Sequence, residues 1–375
     1  MIEYLKICNF TETKAGGTPS TKVKEYWENG DIPWLNSGAL NQGIVKTTSK
    51  YITKLGLDNS STKLMPPETI LIALTGATTG ITGYLTFEAC ANQSVVGILP
   101  SKRHFPKYLY YYLILIRQKV LKDASGAAQP GVNQKYVKNI QIPIPPIDEQ
   151  KRIVAKLDEC FEAIDKARAN VEKNLNNAKE LFQSQLNQSF SQRGEVWVDK
   201  KLGEVCENLD SRRIPITKNK RVSGDIPYYG ASGIVDYVAD FIFDEDLLLV
   251  SEDGANLLAR VYPIAFSISG KTWINNHAHV LKFEEFVSQS FMEYYLNSIK
   301  LDDYVSGMAQ PKLNQKMLNS IPVPYPSLKT QSETVTQLDA LREQTQSLES
   351  NYQQELNALD ELKKSILQKA FNGEL

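Results

Sequence analysis

The amino-acid sequence predicts a mixed α/β (α+β) chain in which two globular domains alternate with two long helices. Three observations predict it: an internal repeat at a fixed offset of 181 residues, an apolar heptad pattern in both copies, and short β-rich runs broken by glycine turns. The helices are expected to form an antiparallel coiled coil with pseudo-twofold symmetry between the domains. The predicted segments are 1–146, 147–193, 194–326 and 327–375.

The segments before the helices are predicted to contain much β-strand. Short apolar runs at residues 69–74 and 247–250 lie close to glycine turns, which is typical of buried strands. The two segments also resemble each other weakly, since Ile32-Pro-Trp34 in the first has a counterpart, Ile226-Pro-Tyr228, in the second. The predicted order is therefore domain, helix, domain, helix.

The repeat is clearest where each domain meets its helix. Residues 126–135 recur as residues 307–316, and 14 of the 33 positions from Gly126 to Asp158 are identical at this offset. The register then continues without a gap to the end of the chain, as expected of a long helix in each copy. Two copies in one chain favour pairing between them, whereas one such helix alone would fit simple dimerisation equally well.

Apolar residues in both predicted helices step by three and four, the a/d pattern of a coiled-coil seam. Asp148 and Ser327 are predicted N-caps, and Gly194 and Gly373 are predicted to end the helices. The predicted seam residues of these spacer helices are Ile153, Leu157, Ile164, Val171 and Leu175 in the first and Leu338, Leu341, Leu348, Tyr352 and Leu356 in the second.

Composition excludes several classes of protein. The most apolar stretch, residues 108–116, is far shorter than the roughly 18 to 20 residues of a membrane-spanning helix. The first residues include Glu3 and no long apolar run, which does not fit a secretory signal, so we expect a cytoplasmic protein with no membrane association. The four cysteines lie far apart, which favours reduced thiols over disulfides or zinc.

No sequence motif indicates catalysis or cofactor binding. Gly270-Lys271-Thr272 resembles the end of a phosphate loop, but position 265 is Ala where that motif requires Gly. The Asn- or Asp-Pro-Pro-aromatic motif of an adenine methyltransferase is absent. His277 and His279 would share a face of a strand, yet no third ligand lies near them in sequence. We therefore expect no catalytic residue, no metal and no cofactor bound by this chain.

Charge permits nucleic-acid binding without requiring it. The net charge is −1, but residues 1–146 carry +7 and residues 194–326 carry −5. The acidic segment would need a local basic cluster to contact phosphate, and the five cations from Arg212 to Arg221 are the candidate. We expect these cations to contact phosphates and so strengthen binding to any sequence, with a solvated charged face as the alternative.

The motifs in their order resemble one known family. They are Gly16-Gly-Thr-Pro-Ser20 followed by Trp27 and Ile32-Pro-Trp34, the Gln129-Pro and Gln310-Pro turns, and a proline-rich run ending in Glu149-Gln150. Over essentially the whole chain, this pattern is similar to the specificity subunit of type I restriction-modification systems. The second copy has Thr330-Gln331, which keeps the glutamine and loses the acid.

This resemblance implies a function without catalysis. It implies two target-recognition domains, 1–146 and 194–326, each recognising one half of a bipartite double-stranded DNA target, with a gap set by the spacer helices. It also implies a complex with two methyltransferase (M) subunits, which would bind S-adenosylmethionine and methylate adenine, and with restriction/motor (R) subunits. The alternative is a coiled-coil scaffold whose domains bind proteins or another ligand. Strict salt dependence of DNA binding would separate the two.

Candidate DNA contacts are polar or basic residues of the early loop, of predicted strand ends, of the basic cluster and of the repeat. In the first domain they are Thr18, Ser20, Lys22, Lys24, Asn36, Ser37, Thr75, Asn92, Gln93, Gln129, Asn133 and Lys135. In the second they are Arg212, Arg213, Lys218, Lys220, Arg221, Tyr229, Ser232, Lys271, Asn276, His277, Gln310, Lys312, Asn314 and Lys316.

Several of these candidates have a structural alternative. Asn92-Gln93 and Asn276-His277 suit base edges, because amides bind adenine bidentately, but they also suit capping of backbone groups at a strand start. Asn133 and Asn314 are explained equally well by helix entry. The tryptophans near the early loop are expected to anchor the core rather than intercalate.

Overall fold

The computed structural model describes residues 3–124, 131–191, 197–307 and 310–375. The chain forms two compact units. The first unit comprises Met1–Asn170 and Glu355–Leu375, and the second comprises Val171–Gln354. The division falls inside both long helices, so each helix contributes one part to each unit.

The strands of the first unit are short and mostly antiparallel. In chain order they are β1 (Tyr4–Lys6), β2 (Thr13–Ala15), β3 (Ile32–Leu35), β4 (Ile44–Val45), β5 (Tyr51–Ile52), β6 (Ile70–Ala73), β7 (Thr82–Leu85), β8 (Cys90–Ala91), β9 (Val95–Ile98) and β10 (Gln141–Pro143). They form sheets ordered β2-β9-β6-β7-β4, β5-β3-β8 and β1-β10. Every residue of the interior strands β6 and β9 is buried, as their continuous apolar runs predict.

Helix α2 (Pro106–Leu115) packs a tyrosine-rich face against the central sheet of the first unit. The helices of this unit are α1 (Lys54–Asp58), α2, α3 (Arg117–Asp123), α4 (Gln134–Asn139), the first part of α5 (Ile147–Ser191) and the last part of α9 (Leu328–Asn372). Helix α2 is the most apolar stretch of the sequence, and its buried tyrosines join the main hydrophobic core. The Tyr108 hydroxyl donates to the Pro143 carbonyl at 3.0 Å, and the Tyr111 hydroxyl donates to the Asp158 carboxylate at 2.5 Å.

The second unit repeats this plan with a different set of edge strands. Its strands are β11 (Val198–Lys201), β12 (Glu207–Asn208), β13 (Ile226–Gly230), β14 (Gly233–Val238), β15 (Phe243–Asp244), β16 (Leu247–Ser251), β17 (Ala265–Ile268), β18 (Lys271–Ile274), β19 (Ala278–Lys282) and β20 (Pro322–Tyr325). Its helices are the last part of α5, α6 (Asn256–Ala259), α7 (Phe286–Ser298), α8 (Gln315–Ser320) and the first part of α9 (Leu328–Asn372). The sheets are ordered β12-β19-β16-β17, β14-β13-β18-β15 and β11-β20.

A buried glutamine fixes the proline-rich entry to each long helix. Gln150 donates to the Pro145 carbonyl at 2.8 Å and accepts from the Phe105 amide at 2.8 Å. Gln331 donates to the Pro326 carbonyl at 2.9 Å and accepts from the Ser288 hydroxyl at 2.7 Å. Proline-flanked carbonyls in a buried linker need such a donor, which explains why the repeat keeps this residue.

The long helices run antiparallel within the first unit. Arg152, near the start of α5, donates to the main-chain oxygen of Leu375 at 2.9 Å. Further along, the Lys363 ammonium lies 3.1 Å from the Asp165 carboxylate. In the second unit, Arg342 of α9 lies over the ring of Phe182 of α5, with 5.7 Å to the ring centroid. The predicted order of two α/β domains and two long helices is confirmed.

The predicted seam residues differ in burial, and one prediction is wrong. Leu348 is 39% exposed, whereas Thr345 is only 2% exposed and Glu349 is half-buried, so the seam steps by four at this point rather than by three. The other predicted seam residues are either buried (Ile153, Leu157, Ile164, Leu338 and Leu356) or half-buried (Val171, Leu175, Leu341 and Tyr352).

The helix ends follow the predicted signals in α9 and depart from them in α5. The Ser327 hydroxyl accepts from the Thr330 amide at 3.3 Å, and Gly373 follows the helix with φ +79°. Helix α5 begins at Ile147, so the predicted N-cap Asp148 lies in the first turn instead, where a carboxylate is favourable to the helix dipole. Gly194 lies outside the described residues. Among the residues that the structure describes, no helix has both the length and the apolar character needed to cross a membrane.

Candidate nucleic-acid interface

Polar residues converge at one end of the central sheet in the first unit. Thr75 follows β6, and the turn 92–94 connects β8 to β9. The Leu74 amide donates to the Ser94 carbonyl at 2.8 Å, and the Leu74 carbonyl accepts from the Val132 amide at 2.8 Å. Side by side at this end, the Thr75 hydroxyl donates to Ser94 Oγ at 3.1 Å. We call Thr75 and residues 92–94 the first strand-end cluster.

Two glycines of the early loop, residues 16–34, bring a further hydroxyl group to this cluster. A Cβ on Gly16 would lie 1.9 Å from the Asn92 carbonyl oxygen, and one on Gly17 would lie 2.5 Å from the Thr62 amide nitrogen. Only glycine therefore fits against this turn. The next residue, Thr18, donates its hydroxyl to the side-chain carbonyl of Gln93. The Gly-Gly-Thr motif thus serves close backbone approach and positions Thr18 on the cluster.

The second unit builds the same frame around different side chains. The Glu252 amide donates to the His277 carbonyl at 2.9 Å, and the Glu252 carbonyl accepts from the Leu313 amide at 2.8 Å. Here the Asp253 carboxylate lies 2.8 Å from His277 Nδ1. We call Asp253 and residues 275–277 the second strand-end cluster. Lys312 lies beside it, since its backbone bridges to Asp253 and its ammonium lies 3.1 Å from the Glu252 carboxylate.

The asparagine that opens each turn has the same role in both units. Asn92 Oδ1 accepts from the Ser94 amide at 3.2 Å, and Asn275 Oδ1 accepts from the His277 amide at 2.8 Å. The Asn92 side chain therefore caps the backbone, which is the structural alternative weighed for it. Its counterpart in the second unit is Asn275, while the predicted Asn276 and His277 are exposed.

A buried ionic network supports the second cluster from below. The His279 ring is 1% exposed, with Nδ1 2.6 Å from the Asp210 carboxylate and Nε2 2.8 Å from the Leu313 carbonyl. Oxygen atoms therefore face both ring nitrogens and hold the ring in one orientation. Arg213 completes the network, donating to Glu252 at 2.6 Å and to the Ala278 carbonyl at 2.8 Å.

This network lowers the pKa of both carboxyl groups. Burial alone would raise the pKa of Asp210, but hydrogen bonds from His279 and from the Val280 amide outweigh it and hold the pKa below its ordinary value. Burial likewise opposes ionisation of Glu252, and hydrogen bonds from Arg213 and Lys312 lower its pKa. Both side chains are therefore ionised at neutral pH.

The structure does not form one basic patch from the predicted cluster 212–221. Arg213 is buried in the network, with a side chain only 13% exposed. Arg221 stacks on Tyr228 and pairs with Asp236 at 2.8 Å. Arg212 pairs with Glu245 at 3.0 Å, at the opposite end of β16 from the cluster. Nearby carboxylates compete with phosphate for all three arginines, and a phosphate contact by them stays a prediction.

Two lysines of that segment, and a third further on, have other positions. Lys218 and Lys220 are exposed on the loop before β13. Lys271 begins β18, whereas the cluster follows the other end of that strand, and its ammonium lies 4.8 Å from the ring centroid of Phe241. Lys271 is therefore away from the second strand-end cluster.

Other predicted residues lie around the clusters or cap helices. Asn133 and Asn314 are N-caps of α4 and α8, accepting from the amides of residues 136 and 317 at 2.9 and 3.0 Å. Asn36 caps a short 3₁₀ helix that begins at Ser37. Tyr229 and Ser232 lie close to the second strand-end cluster. The Asn275 backbone amide donates to the Tyr229 carbonyl, and the Ser251 hydroxyl donates to the Ala231 carbonyl, one residue before Ser232. Exposed candidates in these regions are Ser20, Lys22, Lys24, Lys135, Ser232, Gln310 and Lys316, while Gln129 lies outside the described residues.

The tryptophans of the early loop are structural. Trp34 is 5% exposed and donates from Nε1 to the Gly17 carbonyl at 3.0 Å, so the prediction of a core residue is confirmed. Trp27 is half-buried and packs edge-on against Trp34, with 5.1 Å between ring centroids. Within the described ranges, no group of three or more His, Cys, Asp or Glu side chains is placed to hold a metal.

Sequence reasoning missed Asp253 and Ser94. Both belong to the hydrogen-bonded frames at the strand ends of the two units. The signal was present in the sequence: Thr75-Gly76 and Asp253-Gly254 each follow a buried apolar run, and both glycines have positive φ, +73° and +106°. The 181-residue offset fails at this position, because the loops between β6 and the repeat differ in length.

A duplicated α/β domain with a polar cluster at its strand ends, each copy followed by a long helix, defines a two-domain recognition protein. The chain belongs to the family of the type I restriction modification DNA specificity domain, whose model matches residues 2–174 and 194–358. It therefore carries two matches to this specificity domain.

Relatives with this description align over different lengths. A putative type I restriction enzyme specificity subunit of Haemophilus influenzae, S.HindORF215P, is 39% identical over 142 residues, which cover 38% of this chain and only 36% of the relative. The EcoprrI specificity subunit of Escherichia coli is 26% identical, covering 92% of this chain and 89% of the relative. The MjaIX specificity subunit of Methanocaldococcus jannaschii is 24% identical, covering 99% and 92%.

Solved structures share the fold. A chain from a structural study of complex assembly and conformational transition of the type I R-M system matches with a TM-score of 0.80 and 18% identity, covering 100% of this chain and 98% of that one. The HsdS subunit from Thermoanaerobacter tengcongensis matches with a TM-score of 0.60 and 18% identity, covering 100% and 97%. At this identity the likeness shows the fold.

Proposed function

We propose that this chain recognises a bipartite DNA sequence, with one half-site for each strand-end cluster. The observation that carries the proposal is the repeated frame: the same backbone hydrogen bonds present hydroxyl groups in the first unit and a carboxylate with an imidazole in the second. Side chains of these types form hydrogen bonds with base edges in the major groove. Two frames with different side chains fit two different half-sites.

The proposed partners are those that family membership implies, and the charge of the chain is consistent with them. The first domain carries +7 and the second carries −5, and Arg212, Arg213 and Arg221 of the second are paired with carboxylates. The acidic second domain is therefore less suited than the first to contact phosphates, and phosphate contacts supply much of the affinity of DNA-binding proteins. We expect two methyltransferase subunits to supply the missing phosphate contacts and to bind S-adenosylmethionine, with restriction/motor subunits joining for cleavage. Because the proposed target is chromosomal DNA, we expect the complex in the cytoplasm.

Helices α5 and α9 are the candidate determinants of the gap between half-sites. Each belongs partly to one unit and partly to the other, so both connect the two domains. Repeat-equivalent hydrogen bonds anchor each helix to the domain before it, through Tyr111 to Asp158 in the first unit and Tyr294 to Asp339 in the second, both at 2.5 Å. A helix anchored in this way fixes a spacing, which is why we expect a gap of constant length.

The test is a methylation map. The chain is co-expressed with its methyltransferase partner in a host without DNA methylation, and methylated adenines are mapped by single-molecule sequencing. We expect a bipartite motif with a fixed gap, and none when the chain is omitted. A continuous motif, or an assembled complex that binds DNA without sequence preference, would contradict the proposal and favour the scaffold alternative.

A further inference from the structure

The two strand-end clusters correspond residue by residue. β6 and β16 each pair with two antiparallel neighbours, and Ala73 pairs with Val95 as Ser251 pairs with Ala278. One residue later, Leu74 and Glu252 make the same two backbone hydrogen bonds. The next position is Thr75 in the first unit and Asp253 in the second. Opposite it, on the neighbouring turn, lie Ser94 and His277.

Positions that serve the fold are the same in both clusters. The capping residues Asn92 and Asn275 are both asparagine, and the residues after Thr75 and Asp253 are both glycine with positive φ. The hydrogen-bonded side-chain pair instead changes its chemistry, from two hydroxyl groups to a carboxylate and an imidazole. A pair needed only for folding would be expected to keep its type, as the asparagine and the glycine do.

We propose that the Asp253–His277 pair selects a C·G base pair in the half-site of the second domain, and that Thr75–Ser94 is the equivalent selecting pair of the first. This inference rests on the proposed function and adds the chemistry of one recognised position. Neither Asp253 nor Ser94 belongs to the basic cluster or to the repeat.

The donor and acceptor pattern singles out the base pair. An ionised carboxylate only accepts, and in the major groove the cytosine N4 amino group is the donor that Asp and Glu characteristically bind. Both carboxylate oxygens of Asp253 lie near His277 Nδ1, at 2.8 and 3.1 Å, so the ring holds the carboxylate in place. The half-exposed ring lies beside the carboxylate.

Electrostatics makes this position selective. A carboxylate facing DNA is repelled by the phosphates, and its desolvation is unfavourable unless a donor replaces water. The Asp253 side chain is 21% exposed, so water still reaches it before DNA binds. A base pair with an acceptor in place of the cytosine amino group leaves His277 as the carboxylate's hydrogen-bond donor and replaces its water with no new one, so such a base pair is rejected.

The experiment uses the full methyltransferase complex and three variants. Asp253→Asn keeps the shape and removes the charge. Asp253→Thr combined with His277→Ser transplants the pair of the first domain into the second. The matched control is Asp244→Asn, which changes an exposed acid at the end of β15. Asp244 pairs with Lys271, and Lys271 lies at the opposite end of β18 from the cluster.

We expect the wild-type motif to contain a C·G pair in the half-site of the second domain. Both cluster variants should lower the preference for that pair about tenfold or more at this one position. The other half-site and the gap should stay unchanged, and Asp244→Asn should methylate the wild-type motif. Complex assembly and the circular dichroism spectrum are measured for every variant.

The outcomes separate this inference from the proposed function. A wild-type complex without a bipartite motif refutes the proposed function. A bipartite motif whose second-domain half-site has no C·G pair, or whose C·G preference survives both cluster variants, refutes the inference alone. Should the second-domain variants fail to assemble, the reciprocal transplant Thr75→Asp with Ser94→His decides: a new C·G requirement in the first half-site supports the inference, and an unchanged half-site overturns it.

Discussion

Replacing Arg213 by alanine should destabilise the second unit without changing DNA sequence preference. The side chain is 13% exposed and donates to Glu252 at 2.6 Å, to the Ala278 carbonyl at 2.8 Å and to the Asp210 carbonyl at 3.1 Å. Removing one partner of a buried ion pair costs about 3 to 5 kcal/mol. Glu252 keeps Lys312 at 3.1 Å, so we take the lower end, about 3 kcal/mol.

For a unit of this size, that loss lowers the melting temperature by about 6 to 12 °C. The matched control is Arg212→Ala: its side chain is 47% exposed and pairs with Glu245 at the surface, so we expect a loss below about 1 kcal/mol. Differential scanning calorimetry gives the melting temperatures. Hydrogen exchange of peptides from β16 and β19 should rise in Arg213→Ala and stay unchanged in peptides from the first unit.

The reasoning fails if both variants have equal stability. It fails also if Arg213→Ala keeps the wild-type melting temperature while DNA binding weakens for all sequences, because that result would return Arg213 to the phosphate-contact role that the sequence predicted. A shifted melting temperature together with an unchanged methylation motif supports the structural role.

Three further perturbations test the frame around the clusters. The pKa values of Asp210 and Glu252 are lowered in the fold, so their ionised forms stabilise the second unit at any pH above the unfolded pKa values near 4. This stabilisation is lost as the pH falls through the folded pKa values. Urea unfolding from pH 7 to 3 should therefore show the second unit losing stability with acid, and a pH-independent free energy of unfolding would contradict this. Gly16→Ala puts a Cβ 1.9 Å from the Asn92 carbonyl oxygen and should lower the free energy of unfolding of the first unit by about 2 kcal/mol or more. The control is Gly38→Ala, whose Cβ would have its nearest atom at 3.3 Å. Thermal melts should show a change in its free energy of unfolding within about 1 kcal/mol. Gln331→Leu leaves the Pro326 carbonyl and the Ser288 hydroxyl without their partner, so calorimetry should show a loss of about 2 to 3 kcal/mol in the second unit, with Gln150→Leu giving the same loss in the first.

The sequence was sufficient for the architecture because the architecture is periodic. A 181-residue repeat and a three-four apolar step determine where the long helices lie, and buried strands such as β6 and β16 are continuous apolar runs. The error at Leu348 has the same origin. A heptad pattern cannot distinguish a step of three from a step of four where Thr345 and Glu349 occupy the seam.

The candidate site was harder to predict from the sequence, because strand pairing rather than sequence order brings its residues together. Asp253 and His277 are 24 positions apart and meet only because β16 and β19 are neighbours in one sheet. Charge counting misplaced Arg213 for a related reason. A run of cations looks like a surface patch until the fold places Glu252 and Asp210 beside one of them.

In each strand-end cluster the backbone frame is independent of the side-chain pair that it presents, so the pair can be exchanged at little cost in stability. The frame is held by backbone hydrogen bonds, by a capping asparagine and by glycines, none of which involves the side chains at positions 75, 94, 253 and 277. Exchanging such a half-exposed pair should cost little stability, as is typical of surface substitutions, while one base-edge contact changes discrimination by about 1 to 3 kcal/mol. A duplicated domain of this design therefore changes one half-site at a time, with the other half-site and the paired helices unaffected.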